Sequence, residues 1–535
     1  MVSSAHELAS QAGIEIMKKG GNAIDAAVAT AMALNVVEPT FSGMGGGGFM
    51  VIRFAKTGET VVLDYREVAP NSARKDMFAS DQAKKEKWSK YGGKSVGVPG
   101  WVMGMDTALK KYGTMSWLEV AQPAIRLARQ GYTVSKQQHD FMVEYFTPML
   151  EYNDPDSIPY FTKGLPAEEG QTLKLEGLAK AFQEIGEKGI GVFYGGPIGE
   201  ALVASVNKAG GAMTLQDLKD YKVAVSKPVF GTYRGYQIYS MPPSSSGGTH
   251  IIQILNIMEN FPVKDWGFQS PRHLHTLGEA MKMAFADREA YMADKAFVKV
   301  PLDGLTSKAY AKTLAAKIQP LSVMKEVKAG DPWAFEGKAK AQVVAGPDNH
   351  QATSHFSVVD AEGNIVASTN TINYSSGVIV PGYGISLNDE IDDFSSDPKS
   401  VNAPEPGKRP LSSMSPTIIL DKDGKPFMTV GSAGGWRIIT AVSQIIMNVI
   451  DFGMGMDEAI EQGRIFTYAM GGKPGAFRIE DTVPATTIEI LKLMGHPVEV
   501  KPKGDYFGTS QGILFKDGRM DGGADGRRLG VPVGF

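Results

Sequence analysis

The chain has 535 residues, a formal net charge of −3, 43% hydrophobic and 21% charged residues, and no cysteine. This near-neutral globular composition is long enough for a large core and gives no electrostatic case for a nucleic-acid partner. The lack of cysteine excludes disulfides, thiolate nucleophiles and cysteine metal sites, and no apolar run approaches the ~20 residues that span a bilayer.

In chain order, the opening "MVSSAHELASQAG" carries neither the basic nor the apolar region of a signal peptide. "SAHELASQAGIEIMKK" has apolar residues at helical spacing and stops at Gly20-Gly21. "NAIDAAVATAMALNVV" predicts a second helix, N-capped by Asn22 and rich enough in alanine to be closely packed and buried. The glycines of "SGMGGGGFMVIRF" lead into a strand that pairs with "TVVLDYREV" across the turn "KTGE". Residues 100–345 are mostly amphipathic helices, clearest in "SWLEVAQPAIRLARQG" and "PRHLHTLGEAMKMAFADREAYMADKAF". Between them, "VFGTYRGYQIYSMPPSSSGGTH" reads as strand, loop and helix start. From about Gln342 the pattern turns to strands with acidic, glycine-bearing turns, as in "SHFSVVD-AEGN-IVASTNT" and "TIILD-KDGK-PFMTVGS". "GGWRIITAVSQIIMNVID" is a helix entered through glycines, and "QGILFKDGRMDGGAD" a late strand pair. With no repeat or hinge-like linker, the pattern fits one α/β architecture: two sheets with helices outside.

Several motifs carry two readings. "GMGGGGF" precedes a strand, whereas phosphate-binding glycine loops follow one, so close backbone approach is the better account. "DKDGK" (Asp421 to Lys425) lacks the spaced acids of a calcium loop and reads as a hairpin turn. The eight histidines show no metal-ligand spacing, and His273 and His275 fall on different helix faces. Arg66 is either a surface ion pair with Asp64 and Glu67 or a clamp for a carboxylate. "NDEIDDF" (Asn388 to Phe394) is either a solvated turn or a receptor for a positive group. "KRPLSSMSPT" offers hydroxyls before a strand, and "GSAGGWR" is either a tight strand-to-helix turn or an oxyanion hole.

Thr353, Ser354 and His355 open a strand. Ser354 and His355 point to opposite faces, so they cannot form a plain dyad. Thr353 is one more strand hydroxyl unless the chain is cut behind Ala352. The freed α-amine, with an ordinary pKa of about 7.7–8.0, would then act as base for its own hydroxyl.

Together the pieces "GGNAIDAAVATAMALNVVEP", "GGGGFMVIR", "DYREVAP", "GVPG", "TSHFSVVDAEGN", "STNTIN", "DDF", "KRPLSSMSPT" and "GSAGGWRI" resemble the γ-glutamyltranspeptidase family over nearly the whole chain. The resemblance implies a four-layer αββα fold of the N-terminal nucleophile kind, and a precursor that cleaves itself between Ala352 and Thr353. The products would be a large subunit, 1–352, and a small one, 353–535. Thr353 would be autoprocessing residue and nucleophile, with Thr371 holding it. Arg66, Ser412 and Ser413 would take the glutamyl α-carboxylate; Asn373, Glu390 and Asp393 the α-amino group; Gly434 and Gly435 the oxyanion. No cofactor or metal is implied, the donor would be glutathione or another γ-glutamyl compound with an amino-acid or peptide acceptor, and the place of action would be extracellular or periplasmic, with cytoplasmic as the alternative.

Two departures bear on the donor. Only "SSDPKSVNAPEPG", 13 residues, separates "DDF" from "KRPLSS", too short for the lid loop of many bacterial members, so the open site would admit γ-linked polyglutamate. "GADGRRLG" resembles the branch that acts on poly-γ-glutamate capsules, where Arg528 and Arg437 would contact an additional carboxylate. "LSSMSPT" keeps the ordinary transpeptidase form, which ranks glutathione-type donors first. The other readings are an acylase on another amide, such as a β-lactam side chain, and an uncleaved, non-catalytic γ-glutamyl-binding protein.

Overall fold

The computed structural model describes residues 1–336 and 352–535. The predicted change of pattern at Gln342, up to Gln351, lies outside the described residues.

Two antiparallel sheets lie face to face. Strands β1 (Val2–Ser4), β2 (Gly47–Arg53), β3 (Thr60–Asp64) and β4 (Ala224–Ser226) belong to the first sheet. Strands β5 (Val229–Tyr233) and β6 (Tyr236–Ser240) belong to the second, while β7 (Ser354–Val359) and β8 (Ile365–Thr371) return to the first. Strands β9 (Thr417–Leu420), β10 (Pro426–Ser432), β11 (Ser510–Lys516) and β12 (Arg519–Ala524) complete the second, and β13 (Val531–Val533) ends the first. The orders are β13-β1-β7-β8-β2-β3-β4 and β12-β11-β10-β9-β6-β5.

Helices α1 (Glu7–Lys18) and α2 (Ala23–Val37) cover the outer face of the first sheet. Helices α3 (Gly247–Met258), α4 (Pro271–Tyr291) and α5 (Arg437–Ile450) lie on the second sheet's side, with α3 and α5 against its strands. The first sheet is therefore buried on both sides, which explains the unbroken apolar run of β2. Met50 and Ile52 join the core under α1 and α2, whereas Phe49 and Val51 join the core between the sheets.

The elements form as the residues dictate. Asn22 caps α2 through the amides of Ile24 and Asp25, and Asp25 returns the bond to the Asn22 amide. The hairpins β2–β3 and β9–β10 pair as expected, and α4 ends at Tyr291 rather than continuing to Phe297. The terminal strands β1 and β13 were not anticipated: three-residue strands paired across the whole chain carry no local pattern. Among the described residues no single helix is long and apolar enough to cross a membrane.

Candidate active site

Register sets the centre of the site. In β7, Phe356 and Val358 join the core under the helices, while Val359 joins the core between the sheets. His355 is on this second face, bonded to Thr369 of β8 and pressed against Gly431 of the second sheet. Ser354 turns the other way and donates to Glu38 at the end of α2, 2.5 Å. The Ser-His dyad is thus absent for the expected geometric reason. Burial drives the His355 pKa down to about 3, so its imidazole is neutral and sealed between the sheets.

Pairing runs Ser354 with Asn370 and His355 with Thr369. One step further, Thr353 meets Thr371 at the sheet end, with 3.2 Å between hydroxyl oxygens. In the unbroken chain the Ala352 carbonyl accepts from both hydroxyls, at 2.5 Å from Thr353 and 2.7 Å from Thr371. The Asn373 amide donates to Thr371 Oγ1 at 2.7 Å and so fixes it. Asn373 makes this turn at φ 63°, a conformation asparagine tolerates better than most residues. The glycine run lets its backbone come close: a Cβ on Gly46 would lie 2.1 Å from the Thr371 carbonyl oxygen. That bears out the close-approach reading of "GMGGGGF".

Thr353, Thr371, Asn373, Arg66, Glu390, Asp393, Ser412, Ser413 and Gly435 line one small cavity with Met414 and Ile438. Arg66 is no surface residue. It is buried at the end of β3, donates to Glu390 and Asp393 through separate nitrogens, and reaches the Pro410 carbonyl at 3.2 Å. Glu390 and Asp393 stand on a single 3₁₀ turn, Glu390–Asp393, so the acidic loop is an inward wall rather than a solvated turn.

Burial opposes the Arg66 charge, but Glu390, Asp393 and Glu67 outweigh it and hold its pKa above the ordinary value. Burial raises the Glu390 pKa, with Arg66 pulling the other way. The two directions conflict for an isolated pair. They are reconciled by counting three carboxylates, those of Glu390, Asp393 and Glu67, around one guanidinium. Burial pushes the Glu67 pKa up to about 8, and neither carboxyl oxygen has a hydrogen-bond partner among the described residues. Glu390 Oε2 likewise lacks such a partner and is a spare acceptor in the cavity.

Ser412 accepts from the Met414 amide at 3.1 Å, and Ser413 accepts from Arg288 of α4 at 3.1 Å. Arg288 also donates to Ser246 and lies over Trp436. Sequence reasoning missed Arg288 and Glu38, because nothing in a helical pattern marks one arginine or glutamate as inward-facing. Gly434 and Gly435 follow β10 with φ 120° and 60°, left-handed values that favour glycine. Gly435 lines the cavity; Gly434 sits behind it, where its carbonyl accepts from Arg437 Nε at 2.7 Å.

The two arginines expected to hold an additional carboxylate are engaged with the chain itself. Arg437 grips Gly434 and stacks on Tyr506, and Arg528 donates to the Thr353 carbonyl at 2.7 Å with Glu38 3.7 Å away. Neither lines the cavity.

Fold and site together define the class. The mixed helix and sheet architecture is that of the N-terminal nucleophile hydrolases, and it superposes on cephalosporin acylase from Bacillus halodurans with a TM-score of 0.85 at 29% identity, covering 99% of this chain and 94% of that one. The chain belongs to the γ-glutamyltranspeptidase family, whose model matches residues 9–535. It is 40% identical to the glutathione hydrolase proenzyme of Bacillus subtilis (strain 168), covering 100% of this chain and 91% of that protein. A solved chain of Helicobacter pylori γ-glutamyltranspeptidase is 45% identical over 61% of this chain and 94% of its own length, with a TM-score of 0.59.

Proposed function

We propose that the protein is a γ-glutamyl acyltransferase and glutathione hydrolase, made as a precursor that cleaves itself between Ala352 and Thr353. The observation that carries this reading is one small cavity in which a threonine hydroxyl pair, a buried arginine with two carboxylates, two serines and a left-handed glycine converge. The layering of helices, sheet, sheet and helices supports an αββα sandwich of the N-terminal nucleophile type.

Cleavage begins with Thr353 Oγ1 adding to the Ala352 carbonyl carbon, while Thr371, already bonded to that oxygen, stabilises the charge that develops on it. The C–N bond breaks as the new C–O bond is kept, and the nitrogen gains the proton. Water then hydrolyses the ester, giving subunits 1–352 and 353–535 that remain associated as a heterodimer, with a free α-amine on Thr353.

In turnover that amine takes the hydroxyl proton, and Oγ1 attacks the donor's γ-carbonyl. Gly434 and Gly435 supply backbone N–H groups to the oxyanion, and the amine returns its proton to the leaving nitrogen. Water or an acceptor amine resolves the γ-glutamyl ester. Arg66, Ser412 and Ser413 hold the α-carboxylate of the donor, and Asn373, Glu390 and Asp393 its α-ammonium. A zwitterion matches the cavity because its two charges exchange partners with an ion cluster of both signs. No cofactor or metal takes part, and an extracellular or periplasmic place of action completes the reading.

A second donor class has its own support. The connection 395–407 is folded back on itself, with Asn402 donating to the Asp393 carbonyl and accepting from the Leu411 amide, which favours access by a bulky γ-linked polyglutamate. The test is release of p-nitroaniline from γ-glutamyl-p-nitroanilide, with and without a dipeptide acceptor. Turnover that accelerates with acceptor and collapses in Arg66→Ala is expected. Absence of turnover with the chain uncleaved would leave the non-catalytic binding protein; turnover indifferent to Arg66 would leave an acylase on another amide.

A further inference from the structure

A buried cluster outside the donor cavity joins three residues widely separated in sequence. His275 and Glu279 lie one turn apart on α4, and His496, 221 positions beyond His275, meets them. One ligand-capable atom from each lies within 4.8 Å of the other two, and all three side chains are buried. In the sequence only His275 and Glu279, four apart on α4, share a face; His496 joins them through the fold.

Its hydrogen bonds suit a metal. His275 Nε2 is 2.8 Å from the Gln319 carbonyl and donates to it, which leaves the Nδ1 lone pair facing His496 Nε2 at 2.8 Å. A backbone carbonyl on the outer ring nitrogen is the usual way a ligating imidazole is oriented. Glu279 Oε2 accepts from the Met324 amide at 3.1 Å. His496 Nδ1 makes no hydrogen bond among the described residues, and Glu279 Oε1 is held by the Lys282 ammonium.

We propose that His275, Glu279 and His496 form a binding site for one divalent d-block cation, zinc by its two imidazoles and one carboxylate. Ligand atoms about 2.0–2.2 Å from zinc stand about 3.3 Å apart in a tetrahedron, so the imidazole pair opens by about half an ångström. Lys282 pairs with Glu279 in the metal-free protein, so an incoming cation competes with its ammonium for that carboxylate. The site is remote from the chemistry: Arg288, which holds Ser413, is 13 residues and about 20 Å further along α4. Metal binding ties α4 and residues 319–324 to His496. Its role as a clasp between two subunits rests on the proposed cleavage; binding itself does not.

The test uses the tag-free full chain, stripped with chelator and titrated with zinc chloride against a chromogenic competitor, with melting temperature followed in parallel. One equivalent binding at micromolar Kd or tighter is expected, with a rise in melting temperature. Affinity falls at least about 100-fold in His496→Gln and Glu279→Gln, stays unchanged in His273→Gln, and tightens about 10-fold in Lys282→Met, which removes the competing cation. Failure of the wild-type chain to bind, or binding that survives both ligand substitutions in variants folded by circular dichroism, overturns the proposal. Should those variants not fold, a Lys282→Met chain that binds no more tightly overturns it. γ-Glutamyl-p-nitroanilide turnover read on the same samples separates this outcome from failure of the proposed function.

Discussion

Two neighbouring cross-strand pairs on the same face of β7 and β8 have nearly the same chemistry and opposite fates. Thr353 faces Thr371 at the sheet end, and one step inward His355 faces Thr369. Both pairs are hydrogen-bonded and buried. The first adjoins a cavity that holds Arg66, Glu390 and Asp393; the second is sealed against the second sheet, with Ser357 and Thr429 continuing its polar contacts. On the proposed function, what sets the Thr353 hydroxyl apart from that of Thr369 is its place at the sheet's end beside the cavity. The imidazole, the better base in water, is disabled by its burial.

The largest effect expected at either pair is at Thr353. Thr353→Ala is expected to abolish cleavage and lower turnover more than about 10³-fold, read by gel and p-nitroaniline release. His355→Gln is expected to cleave, and a His355→Gln chain that folds but never cleaves would break the comparison. Arg66→Ala leaves Glu390 and Asp393 buried without their cation and is expected to cost about 3–5 kcal/mol of stability in denaturant titration, besides the loss of donor binding. Thr371→Val, which keeps shape and removes the hydroxyl, should slow cleavage and turnover about 10–100-fold with little change in melting temperature.

His355 has a distinct stability signature. Its folded pKa of about 3 lies below the unfolded value of about 6.5. The unfolded chain therefore binds the proton first, and this contribution is complete above about pH 6.5 and lost as pH falls towards 3. Denaturant midpoints measured across that range should fall less steeply in His355→Gln. The smallest effect concerns Glu67. Its raised pKa means the folded protein holds a proton the unfolded chain has lost, so its contribution declines as pH rises from about 4.5 to 8. Glu67→Gln should leave turnover at pH 7 nearly unchanged and flatten the alkaline side of the kcat/KM profile near pH 8.

Much of this was legible in the sequence where a local pattern carried it. Asn22 reads as an N-cap, β2 to β3 and β9 to β10 spell hairpins, and alternation forbade a dyad between Ser354 and His355. The residues that line the cavity sit in motifs whose spacing survives in the fold. The local odds misjudged Arg66, which reads as a surface ion pair beside Asp64 and Glu67 but is buried by segments arriving from residues 390–393 and 410. Arg437 and Arg528, whose motif suggested an additional substrate carboxylate, donate to the carbonyls of Gly434 and Thr353 in the substrate-free fold. Arg288, Glu38 and His496 left no local trace, since each acts only through contacts made across the chain.

Thr353 is proposed to work because the peptide bond behind it is broken, and intact mass spectrometry with N-terminal sequencing of the purified protein tests this. The account predicts two co-purifying fragments of 352 and 183 residues, the smaller beginning at Thr353, with turnover rising as they form. A full-length chain that turns over γ-glutamyl-p-nitroanilide without cleavage, or a cut at any other bond, would contradict it.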